Sequence, residues 1–181
     1  MWEGVLRRSL RTTRTCTASF TSSSKKVAPK QSLVTYHVHT TGKGAHSTST
    51  ILGGANDKPQ HVLHTDLPTR YGGKNTAPQP VEMLIASLTG CEQATAVFVG
   101  RHMKPRLDID RIEFNYRAQR DSRGATHLPL TGGDSSSQAP PCPARLLSVW
   151  GEAHVYTMRP ETAERIRDLQ EETEARCPIA Q

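Results

Sequence analysis

The chain has 181 residues and a formal charge of +6, a length that suits one domain with a real core and falls short of two comfortable ones. No run of about 18 apolar residues occurs, so no membrane span is expected. The charge hints at nucleic acid only until it is located: residues 1–33 hold seven basic residues and one acidic one, while the remaining 16 basic and 16 acidic residues cancel. The body is neutral, and no phosphate-binding Gly loop, nucleotide fingerprint or aromatic-interleaved basic patch appears in it, so no nucleic-acid partner is expected.

The N-terminal stretch is rich in Arg, Ser and Thr. On a helix, Trp2, Val5, Leu6 and Leu10 would fall on one side and Arg7, Arg11 and Arg14 on the other, which is the amphipathic pattern of an organelle presequence. A disordered basic tail is the milder reading. Residues 1–33 are therefore expected to be a mitochondrial presequence, cleaved before Val34 and taking Cys16 with it; a cytoplasmic location is the alternative. A thiol-reducing matrix favours free cysteines over structural disulfides.

From Val34 the pattern changes. Val34 to Thr40 alternates and is rich in β-branched residues, a turn at Gly42-Lys43-Gly44 follows, and a second run from His46 to Leu52 completes a predicted hairpin. His61 to Thr65 gives a third strand. Paired histidines (His37 and His39, His61 and His64) have no Cys-x-x-Cys or His-Glu-x-x-His companion, so no metal site is expected. Asp66 to Gln79 is a Gly/Pro-rich connection. Pro80 then suits a first helical turn, and a long helix is predicted to about Met103, stopped by Pro105.

Leu84, Leu88, Cys91, Ala94 and Phe98 follow one another at four, three, three and four residues, so they share one face of this helix. A cysteine on such a face is usually a small core residue. Leu107 to Tyr116 reads as a strand whose register slips at Arg111-Ile112, where a bulge is expected. Residues 121–144 form a Gly/Ser/Pro-rich insertion loop with Cys142 as an exposed, incidental thiol. Leu146 to Thr157 is predicted to pair back across it. A second helix is predicted from Pro160, with Glu161/Arg165, Arg167/Glu171 and Glu172/Arg176 as solvated i,i+4 pairs. It ends at Cys177, because a residue before proline is pushed out of the α region; a further helix opened by Pro178 would make Cys177 its N-cap.

The run Pro80-x-Glu82-x-Leu84-x-Ala86-x-Leu88-x-Gly90-Cys91, with Arg176-Cys177-Pro178-Ile179-Ala180 near the end, resembles the OsmC/Ohr family, named for osmotically inducible protein C and organic hydroperoxide resistance protein. The Pro-x-Glu-Met form resembles a less characterised branch of it. The resemblance covers roughly Val34 to the C-terminus and implies an α+β fold: a curved antiparallel sheet packed around a long central helix, plus a second helix, in an intertwined homodimer. It also implies thiol-dependent reduction of organic hydroperoxides, with Cys91 as the peroxidatic cysteine and Cys177 as the resolving one. No cofactor is implied beyond an external dithiol reductant such as dihydrolipoamide. A non-catalytic module that binds an apolar or acyl ligand, with both cysteines structural, is the alternative.

Two positions depart from the family pattern. Active members place an Arg at the turn after the first strand and a Glu directly after the helix-opening proline; here those positions are Lys43 and Val81. Lys43 offers a point charge without a bidentate fork. Glu82 is expected to complement the positive helix end, since nine residues of helix put it on the side opposite Cys91. Family members also continue past the Cys-Pro motif into a helix and a closing strand, so an open sheet edge is expected here.

Overall fold

The computed structural model describes residues 3–9, 33–53, 58–126 and 142–180. It divides into two compact units: Thr13–Leu84, and Met1–Thr12 together with Ile85–Gln181. The classes of element match the α+β expectation, with antiparallel sheets and one long helix, but the strands form two three-stranded sheets rather than one continuous surface.

Six strands and three helices are described: β1 (Glu3–Ser9), β2 (His37–Lys43), β3 (His46–Gly53), β4 (Lys58–Thr65), α1 (Pro80–His102), β5 (Ile109–Arg120), the one-turn α2 (Arg123–Thr126), β6 (Leu146–Thr157) and α3 (Ala163–Arg176). In the first unit β2, β3 and β4 form an antiparallel meander in which Lys43 pairs with His46 and Ser47 with Thr65. The turn expected at Gly42-Lys43-Gly44 sits two residues later. Gly44 has φ 62, a left-handed value that glycine adopts without strain, so Gly42 and Lys43 are the last residues of β2. His64 stacks on His46 at 5.6 Å and its Nδ1 is 3.2 Å from the Thr48 hydroxyl.

The Gly/Pro-rich connection is held by one buried carboxylate. Asp66, 1% exposed, accepts from the backbone N–H of Leu67 (2.8 Å), Lys74 (3.1 Å) and Thr76 (3.0 Å) and from the Thr76 hydroxyl (2.8 Å). These donors, the Thr76 N–H foremost, lower its pKa to about 2 against the cost of desolvation. The loop closes so tightly that a Cβ on Gly73 would overlap the Leu67 carbonyl.

In the second unit the sheet order is β1-β6-β5. β5 and β6 pair across the insertion as expected, with Ile112 opposite Val155 and Phe114 opposite Ala153; the register shift falls between Ile109 and Arg111, slightly ahead of the expected bulge. The face carrying Ile112 and Val155 packs on α1 and α3 through Ala96, Val99, Leu107, Ile166 and Leu169. The opposite face carries Arg111, which lies 3.7 Å above the Tyr156 ring and bonds Glu113 at 2.9 Å.

Several expectations are corrected. The N-terminal helix is instead strand β1, antiparallel to β6 from Glu3 opposite Tyr156 to Ser9 opposite Trp150. A lone helix of that length is marginal in water, whereas the second edge of β6 offers N–H and C=O groups that need partners. β1 thus takes the edge that was expected to stand open; Cys16 lies outside the described residues. On α1 the buried residues are Leu88, Glu92, Ala96, Val99 and Gly100. Leu84 and Phe98 are 53% and 55% exposed, because the helix is apolar nearly all round and its spacing alone does not select the inward face. α3 starts at Ala163, not Pro160: the Thr162 side chain accepts from Arg165 N–H and caps it. Cys142 is half-buried rather than exposed. Its thiol hydrogen-bonds Asp121, whose carboxylate also receives the Arg123 guanidinium (Nη2 to Oδ2, 2.6 Å) and lies well below the usual range, Arg123 being the main cause. The rest of the insertion, residues 127–141, lies outside the described residues.

Candidate functional site: a thiol pair between two helices

The two helices meet where the two cysteine motifs do. Cys177 closes α3 with φ −73 and ψ 116, the extended backbone that the following proline requires, while its N–H still reaches the Thr173 carbonyl at 2.9 Å. A turn over Pro178–Ala180 then folds back, with Ala180 N–H donating to the Cys177 carbonyl at 3.3 Å. Up to Ala180 this is a turn and not a new helix, so Cys177 ends a helix and does not cap the start of one.

This arrangement buries Cys177 fully, at 0% exposed, in a cluster with Leu88 and Ala180, against which Cys91, Tyr116 and Val149 pack. Cys91 is half-buried, and both cysteines are free thiols. The Cys177 thiol is a near neighbour of the Cys91 sulfur. Burial is the main reason that the Cys91 pKa rises above its ordinary 9.0, and the Cys177 thiol and its charge raise it further. Two donors act the other way: the Ile179 N–H and the Thr95 hydroxyl both face the Cys91 sulfur. Sequence reasoning missed these two. Thr95 was legible as the residue one turn beyond Cys91, whereas the Ile179 N–H becomes visible only once the terminal turn is placed.

The two supporting candidates belong to the first unit. Glu82 accepts from the Gln79 N–H at 2.8 Å and from Gln79 Nε2 at 3.3 Å, so it closes the first turn of α1. Lys43 is exposed at the end of β2, in the first unit, whereas both cysteines belong to the second.

The long helix packed against an antiparallel sheet is matched by known proteins. Residues 73–181, more than half of the chain, match the family described as OsmC-like protein, and the chain belongs to that family. Solved structures share the fold at low identity. An OsmC-like protein from Mycoplasma pneumoniae superposes with a TM-score of 0.54 at 15% identity, covering 81% of this chain and 85% of that one. An OsmC-like protein of unknown function from Vibrio cholerae gives 0.53 at 12%, covering 82% and 92%. An organic hydroperoxide resistance protein OsmC from Legionella pneumophila gives 0.50 at 14%, covering 83% and 89%. No curated protein matches the chain.

Proposed function

We propose that this chain is a thiol peroxidase that reduces organic hydroperoxides through Cys91 and Cys177. The observation that carries the reading is the direct contact of the two thiols across the α1–α3 junction. The Legionella pneumophila neighbour, described as an organic hydroperoxide resistance protein, supports the substrate class.

Cys91, the less buried of the two, attacks first. Its thiolate forms a bond to the outer peroxide oxygen, the O–O bond breaks, and the alkoxide leaves and takes a proton to become an alcohol. Cys91 is then a sulfenic acid. The Cys177 thiol attacks that sulfur and a disulfide forms with loss of water. An external dithiol such as dihydrolipoamide returns both cysteines to thiols and is itself oxidised to its disulfide. The Ile179 N–H and Thr95 hydroxyl stabilise charge on the Cys91 sulfur. The working form in this proposal is a homodimer, and the compartment is mitochondrial, following the basic, acid-poor N-terminal stretch.

The test is mass spectrometry of the protein after one equivalent of cumene hydroperoxide, beside Cys91→Ser and Cys177→Ser. The expected result is rapid formation of a Cys91–Cys177 disulfide, with a sulfenic acid accumulating on Cys91 when Cys177 is replaced. Thiols left unmodified after prolonged exposure would overturn the peroxidase and leave the ligand-binding, non-catalytic module.

A further inference from the structure

Sequence spacing gives the paired histidines of the first unit no metal-binding companion, but the sheet brings one to His64. Side chains two apart on a strand, and directly opposed antiparallel partners, share a face. His46, Thr48 and Thr50 therefore share one face of β3, and His64, opposite Thr48, stands on it too. His61, opposite Ile51, stands on the other face. The His46 and His64 rings lie 5.6 Å apart, centroid to centroid, at an interplanar angle of 26°. His64 is exposed and His46 half-buried. The Thr48 hydroxyl is 3.2 Å from His64 Nδ1. Lys43 lies opposite His46 on β2, on the side of β3 away from β4.

Imidazole nitrogens suit nickel, copper and zinc ions. A ring nitrogen binds such an ion at about 2.1 Å, so two rings on one ion have centroids roughly 4.5 Å apart at a right angle and roughly 6.4 Å apart in line. The observed 5.6 Å lies between these limits, so the strands need not move. With its Nδ1–H donated to the Thr48 hydroxyl, His64 keeps the Nε2 lone pair for an ion, which is how a ligand histidine is commonly fixed. His46 needs only to turn about its own side-chain bonds. Protons on both neighbouring rings would repel each other, whereas one divalent ion accepts both lone pairs. No group of three or more His, Cys, Asp or Glu side chains suited to a metal occurs among the described residues, so water completes the coordination.

We propose that His46 and His64 together bind one late first-row divalent cation on this face of the β2–β4 meander, independently of the thiol chemistry. The probe is Ni²⁺, which leaves thiols unoxidised, titrated into the full chain at neutral pH. Calorimetry reads the affinity, and paramagnetic broadening of the histidine ring signals reads the location. The His46 and His64 rings are expected to broaden before any other, and His46→Ala and His64→Ala are each expected to weaken binding by about tenfold or more. His61→Ala, on the opposite face, is expected to leave it unchanged. Absence of binding up to about 1 mM Ni²⁺, first broadening at other histidines or at the cysteines, binding unchanged in both variants, or equal weakening by His61→Ala would overturn the proposal. The order of broadening is read on the unaltered chain, so it stands even where a variant fails to fold.

Discussion

In the proposed cycle Cys91 reacts as a thiolate, and the structure surrounds it with opposed influences. Burial, then the Cys177 thiol and that residue's charge, raise its pKa, while the Thr95 hydroxyl and Ile179 N–H lower it. The sign is net upward, so at neutral pH the thiol form dominates and the reactive fraction grows with alkalinity. The rate of Cys91 modification by a small alkylating agent, measured in Cys142→Ser, is therefore expected to climb about tenfold per pH unit and to keep climbing past 9.0, the ordinary value. Cys177→Ala removes two of the three raising influences and should bring the midpoint down. A plateau below pH 8 would show that the lowering influences outweigh the raising ones.

At the scale of elements, α3 is held mainly through Leu169, 1% exposed, and Ile166, packed against α1 and the sheet. Its N-terminal end is tied by Arg165, which bonds Glu161 at 2.6 Å and donates to the Pro105 carbonyl at 2.6 Å. Leu169→Ala is expected to cost about 2–5 kcal/mol in urea unfolding, since a buried leucine is lost from a closed junction. Because Cys177 rides on the end of this helix, the same variant should slow disulfide formation in the peroxide assay. Unchanged stability would mean that α3 is not docked in solution.

At the scale of the whole molecule, α1 is the anomaly. The helix has a mean hydropathy of 1.3 over an 18-residue window, of which only 28% is buried within one chain. By length and composition it could even cross a membrane, which runs against the exclusion drawn from uninterrupted apolar runs. A helix apolar nearly all round needs cover, and the proposed homodimer supplies it with a second copy. Sedimentation should then find twice the chain mass for the parent protein, and Phe98→Glu, at a 55% exposed position, should shift it toward monomer. A parent protein that sediments as a monomer would remove the second copy from the proposed function and leave α1 uncovered.

What the sequence determined by itself was the type and order of most elements and the identity of the two motifs, because periodicity and proline placement act locally. Pro80 and Pro105 bracket α1, and Pro178 ends α3 at Cys177, whatever the rest of the chain does. The inward face of α1 was not legible, since Leu84, Leu88 and Phe98 share one apolar face while Ile85 and Val97 are apolar outside it, and it took the sheet to select Leu88, Glu92, Ala96 and Val99. Nor was β1 legible: a short amphipathic segment reads as helix until an unpaired strand edge is present to claim its backbone. Only the tertiary structure decided that the Cys91 and Cys177 thiols meet and that Ile179 and Thr95 face the sulfur. Those are contacts between elements far apart in the chain, fixed by how α1 and α3 pack on one sheet, and no local pattern encodes that packing.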